Sequence, residues 1–159
     1  MKASFSERYW TTADGLKLYY RDYVGQSDKP VILCLHGLTR NSRDFACLAE
    51  ELGSTWRLIV PEMRGRGKSE YANDTNTYLP SVYIDDVKLL IESLQMSRFI
   101  VLGTSMGGRM AMLMADQYKS RMKALILNDI GPEVEVKGIE RILGYVGHGW
   151  SYDTWVHAA

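Results

Sequence analysis

Ser105 lies in the pentapeptide Gly103-Thr104-Ser105-Met106-Gly107, a serine with a glycine two residues before it and two after it. The run in front, RFIVLG, is apolar enough for a strand buried on both faces. The run behind, MGGRMAMLMADQYKS, is rich in Ala and Met and reads as a helix. A serine on so sharp a strand-to-helix turn is forced into an unfavourable backbone conformation, its hydroxyl exposed above the sheet and the helix N-terminus beneath it. Gly103 and Gly107 give the chain room to turn. In that setting Ser105 can attack a carbonyl carbon, and the Met106 amide points where negative charge would develop on the oxygen. The competing reading makes Ser105 the N-cap of a glycine-flanked helix. The strand on one side and the helix on the other favour the nucleophile.

A second stretch fits the same chemistry. CLHGLTR puts His36 and Gly37 at the carboxyl end of another buried strand. A serine elbow needs a second oxyanion donor from such a loop. Leu38 can supply it through its backbone amide, and Gly37 lets that backbone approach a substrate closely. The His36 side chain is expected to tie down this loop by hydrogen bonds and not to transfer protons.

These residues need a scaffold, and the rest of the chain describes one. RYWTTADGLKLYYRDYV reads as a hairpin turning at Ala13-Asp14-Gly15. KPVILCLHG, WRLIVP, RFIVLG and MKALILND read as four buried strands. NSRDFACLAEELG has helical spacing, with Asn41 or Ser42 to cap it and Gly53 to end it. LPSVYIDDVKLLIESLQ is amphipathic, with Val82, Ile84, Val87, Leu90, Ile91 and Leu94 toward one side. Strands alternating with helices specify βαβ units, so the fold expected is α/β: a mainly parallel sheet with an antiparallel N-terminal hairpin. After Pro132 the composition changes. Residues 133–159 hold four glycines and no buried strand, and read as the start of an inserted cap following a core over residues 1–132.

Composition excludes several functions. The 159 residues suffice for one core, and 46% hydrophobic with 24% charged residues is ordinary globular composition. Lys plus Arg equals Asp plus Glu at 19 each, so no long-range attraction to nucleic acid or anionic lipid is expected. No run of about 18 apolar residues offers a membrane span. The N-terminal ten residues have no apolar signal-like core. Cys34 and Cys47 fall in apolar strand and helix patterns, and read as reduced core thiols of a cytoplasmic protein. EMRGRGKSE imitates a phosphate-binding loop, but the glycine required five positions before Gly67 is Glu62, whose carboxylate repels phosphate. A solvated basic turn is expected there.

The order strand-HGLTR-helix, strand-PEMRGRGKS, strand-GTSMGG-helix, strand-LNDIGPE resembles the α/β-hydrolase family, from about Leu16 to about Pro132. The resemblance is closest to bacterial meta-cleavage-product hydrolases, enol-lactonases and simple esterases. It implies Ser105 as nucleophile, Leu38 and Met106 as the oxyanion hole, and no metal or organic cofactor. It implies a small-molecule substrate: an ester, thioester, lactone or diketone cleaved at a C–C bond. Haloalkane dehalogenases and epoxide hydrolases carry aspartate where this chain has Ser105, and tend to carry proline soon after the His-Gly pair, where HGLTRN has none. Glu62 replaces the family's usual aspartate. The family's triad runs Ser, then Asp or Glu, then His along the chain. Asp129 ends the strand after the elbow helix, where some members take their acid, although most take it one strand later; a turn residue capping the IGPE bend is the preferred reading. His148 and His157 follow no buried strand and read as cap residues. The base is therefore expected beyond Ala159. The C-terminal strands are expected to be missing, and the chain as given is expected to be inactive and prone to self-association through an unpaired sheet edge. A ligand-holding protein without catalysis, or a fragment that pairs with another chain, are the alternatives.

Overall fold

The computed structural model of the chain describes residues 3–26, 28–131, 133, 136–144 and 146. Six strands form one sheet in the order β1-β2-β4-β3-β5-β6. They are β1 (Ser6–Thr11), β2 (Lys17–Tyr23), β3 (Val31–Leu35), β4 (Leu58–Pro61), β5 (Phe99–Thr104) and β6 (Met122–Asn128). The helices are α1 (Ala46–Leu52), α2 (Pro80–Ser93), α3 (Met106–Ala115) and α4 (Val136–Leu143). The expected α/β architecture is present: β1 and β2 pair as an antiparallel hairpin, β2 pairs antiparallel with β4, and β4, β3, β5 and β6 run parallel.

Side-chain alternation along the strands divides the core in two. Leu33 and Leu35 of β3, Ile59 of β4, and Phe99 and Val101 of β5 pack with Val87, Leu90 and Ile91 of α2 and Met110 and Met114 of α3. Ile32, Cys34, Leu58 and Val60 face the other way, onto Phe45 and Ala49 beside and within α1. β3 and β4 are the strands buried on both faces, which is why their sequences are continuously apolar.

This layering fixes where a site can form. The chain leaves β3 toward α1 on one face of the sheet, and leaves the adjacent β5 toward α3 on the other. The two loops part at the carboxyl ends of neighbouring strands, opening a crevice where α/β sheets bind ligands.

Three sequence expectations need correction. Neither β5 nor β6 is buried on both faces: Ile100, Leu102 and Thr104 of β5 are half-buried, and β6 is the outermost strand of the described sheet, with Ile126 and Leu127 exposed. Cys47 is exposed, whereas Cys34 is buried and its thiol is pushed up to about 12 by desolvation. The basic turn is not simply solvated. Arg64 is only 1% exposed, its guanidinium donating to both oxygens of Asp86 on α2 (2.8 and 2.7 Å) and to Asp14 in the hairpin turn (2.8 Å). The Asp86 carboxylate, and after it Asp14, hold Arg64 charged well above its usual range. The turn thus pins the hairpin to α2.

Candidate active site

Ser105 stands between β5 and α3 with φ 50° and ψ −113°, a conformation sparsely populated outside glycine. Its surroundings hold it there. The Ser105 amide donates to Asn128 O at 3.0 Å, tying the turn to the end of β6. Gly108 and Arg109 amides donate to Ser105 O at 2.9 and 3.1 Å, starting α3. A Cβ on Gly107 would lie 2.1 Å from Leu35 O, and one on Gly103 would lie 2.5 Å from Gly107 O. Both glycines are required by contact: the head of α3 presses directly on the ends of β3 and β5. Met106, the first residue of α3, is 9% exposed, and its amide belongs to the unpaired N-terminal turn. Among the described residues the Ser105 hydroxyl makes no hydrogen bond.

The loop after β3 is locked by different means. Gly37 O accepts from His36 Nδ1 at 2.7 Å and from the Arg40 amide at 3.1 Å. In a trans peptide the N–H points opposite to the C=O. Those two donors therefore aim the Leu38 N–H away from His36, while the half-exposed Leu38 lines the cleft. His36 Nε2 accepts from the Met63 amide at 3.1 Å. A carbonyl can only accept and an amide can only donate, so the neutral imidazole carries its proton on Nδ1. Burial, the dominant effect, lowers the His36 pKa. The histidine is 1% exposed and engaged at both nitrogens, the loop-tying role expected of it. Arg66 Nε donates to Leu38 O at 3.0 Å. Glu62, 3% exposed, accepts from the Ser42 amide (3.1 Å), the Ser42 hydroxyl (2.6 Å) and the Lys68 amide (2.6 Å), joining the start of the first helical segment to the 62–69 turn.

Gly37 brings this loop against the elbow: a Cβ built on it would lie 3.7 Å from Ser105 Cβ and 3.4 Å from Arg40 Cγ. Between the loops lies a cleft of about 690 Å³, lined by Ser105, Leu38 and Arg40 and by apolar side chains including Leu102, Ile126 and Ile142. Asp129 also lines it, exposed at the end of β6 with φ 54°. Nothing in the hydrogen bonding among described residues joins Asp129 to Ser105. His148 and His157 lie outside the described residues. Sequence reasoning missed Arg40 and Asp44, which share the cleft, and the supporting roles of Glu62, Ser42 and Arg66. A polar residue's partner twenty or more positions away leaves no periodic signal.

Among the described residues no group of three or more His, Cys, Asp or Glu side chains is arranged to hold a metal ion, and no helix is long and apolar enough to cross a membrane.

A sheet of this order with a strained serine at the head of the helix after β5 is the architecture of the alpha/beta hydrolase fold, and the model of that family matches residues 30–149. The chain belongs to the α/β-hydrolase family. A solved alpha/beta hydrolase from Novosphingobium aromaticivorans DSM 12444 is similar to it with a TM-score of 0.94 and 49% identity, over 99% of this chain and 55% of that one. The 3-hydroxybutyrate-oligomer hydrolase of Cupriavidus necator is 37% identical over 131 residues, 82% of this chain and 45% of that protein. Epoxide hydrolase 4 of Mus musculus is 30% identical over 128 residues, 80% of this chain and 35% of that protein. The chain spans about half the length of the first two.

Proposed function

We propose that the protein carrying this chain is a serine hydrolase in which Ser105 attacks the carbonyl of a small ester, thioester or lactone, or of a diketone cleaved at a C–C bond. The observation that carries the reading is the strained Ser105 at the head of α3, its hydroxyl without a hydrogen bond among the described residues, facing a cleft whose other loop turns the Leu38 amide away from His36. The Ser105 oxygen bonds to the carbonyl carbon, and its proton passes to a histidine base outside the described residues. The resulting oxyanion is held by the Leu38 and Met106 amides. Collapse expels the leaving group, which takes the proton, and water then releases the acyl group and regenerates the serine. Asp129 is the acid that the described residues offer for orienting the base. The buried thiol of Cys34 suits a reducing, cytoplasmic setting.

The likeness to a mouse epoxide hydrolase favours a second reading, ring opening at the same cleft. Ser105 counts against it, since by the family resemblance epoxide hydrolases place aspartate at the nucleophile position. A cleft that only holds ligand is the remaining alternative. Hydrolysis of an activated ester by the intact protein separates the three. The proposal expects turnover that Ser105→Ala lowers by at least about a thousandfold. Turnover that survives the substitution contradicts it.

A further inference from the structure

We propose that Arg40 is a specificity residue of this cleft, its guanidinium receiving the carboxylate of an anionic acyl substrate whose reacting carbonyl sits at Ser105. The inference rests on the acyl-transfer reading of Ser105 and adds to it a substrate class: esters whose acyl part ends in a carboxylate.

Arg40 Cγ and Ser105 Cβ both lie within 4 Å of the same point above Gly37. The arginine stem therefore leaves the loop beside the nucleophile, and both residues line the cleft. Arg40 Nε donates to Asp44 Oδ2 at 2.7 Å, four residues further along. Among the described residues its two terminal nitrogens make no hydrogen bond. A guanidinium held at Nε and free at its end presents two parallel N–H donors, the geometry that matches a carboxylate. The pair adds little to the fold, because the Arg40 side chain is 64% exposed.

Among the described residues the lining sets Arg40 against two carboxylates, Asp44 and Asp129, so any attraction for an anion is local to the free end of the guanidinium. Asp44 is occupied by Arg40 itself. Asp129, the other carboxylate lining the cleft among the described residues, directly follows β6, and in the acyl-transfer reading it is the acid offered for orienting the base. Among the described residues Arg40 is the cation of the lining. Leu48, Leu102, Ile126 and Leu127 supply an apolar surface for the methylenes between carbonyl and carboxylate. A substrate with one apolar stretch and one anionic end is thereby oriented as well as bound.

The test compares the p-nitrophenyl monoester of adipic acid with p-nitrophenyl hexanoate on the intact protein. The variants are Arg40→Gln and the double variant Arg40→Gln/Asp44→Asn. The expected result is a charged-to-neutral ratio of kcat/KM that falls about tenfold or more in Arg40→Gln, carried by KM, and stays low in the double variant. An unchanged ratio overturns the inference. So does a ratio restored in the double variant, which would assign the loss to repulsion by an unpaired Asp44. A binding measurement that needs no turnover uses Ser105→Ala, with calorimetry of monomethyl adipate against methyl hexanoate. Preference for the charged ester that Arg40→Gln abolishes supports the inference; equal affinities, or no binding of the charged ester, overturn it. Absence of Ser105-dependent turnover of both esters would instead sink the acyl-transfer reading, and calorimetry would still decide the role of Arg40.

Discussion

On the wall of the cleft built by residues 36–44, Gly37 O takes two hydrogen bonds, Leu38 O takes one from Arg66, and Ser42 is held twice by Glu62. On the opposite wall, Ile126, Leu127 and Ile142 are exposed apolar side chains, and Asp129 has no side-chain hydrogen bond among the described residues. One wall is over-determined and the other is a surface. The difference corresponds to what each can do. An oxyanion donor acts only if its direction is fixed before reaction, whereas apolar contacts with an acyl chain tolerate adjustment. Ser105 sits between the two, its amide tied to β6 and Gly107 beside it packed on β3.

The largest effect should come from breaking the rigid wall. Glu62→Ala removes the acceptor for three donors, two of them on the buried Ser42. Stability should fall by about 3 kcal/mol, measured by chemical denaturation of the intact protein, since buried donors left unsatisfied cost about 1–3 kcal/mol each and partly re-pair. A loss below about 1 kcal/mol would mean that the wall does not depend on this carboxylate.

Acid should attack the same wall through His36. Folded His36 binds a proton less readily than the unfolded chain, whose reference value is 6.5. The stability it contributes is therefore complete above about 6.5 and is lost as pH falls through the lower folded value. Protonation also removes the acceptor for the Met63 amide. Denaturation midpoints across this range should fall with pH in the native protein and be flatter in His36→Asn. Parallel profiles would contradict the assignment.

How much of this was legible beforehand follows from the type of signal. The strained serine, the six strands and the His36-Gly37 loop were readable because glycine spacing and continuous apolar runs are local. The burial of Arg64 was not, since a basic residue in a Gly-rich turn looks solvated until Asp86 and Asp14 are brought to it from elsewhere in the chain. Asp86 itself lies among the buried residues of α2 and reads in sequence as part of its polar side. The exposure of β6 was hidden for the opposite reason: MKALILN is as apolar as an interior strand, while the described sheet gives it one neighbour.

Smaller effects sharpen the comparison at its hinge and on its open side. Ser105→Gly removes the positive-φ strain and should stabilise the fold by about 1 kcal/mol while abolishing activity. Calorimetric melting checks it, and a destabilised variant would mean that the turn is not strained. Ile126→Ser, on the exposed wall, should change stability by less than about 0.5 kcal/mol. It should still alter relative rates across a series of acyl chain lengths; rates that keep the native pattern would remove Ile126 from the substrate surface.

The central claim, that Ser105 is an activated nucleophile facing this cleft, is tested most directly by covalent labelling. The intact protein is treated with a fluorophosphonate and the modified residue located by mass spectrometry. One phosphonyl group is expected, on Ser105, with labelling abolished in Ser105→Ala and slowed when a carboxylate-bearing ester occupies the cleft. An unlabelled Ser105 in protein that hydrolyses esters, or a label carried by another residue, would contradict it.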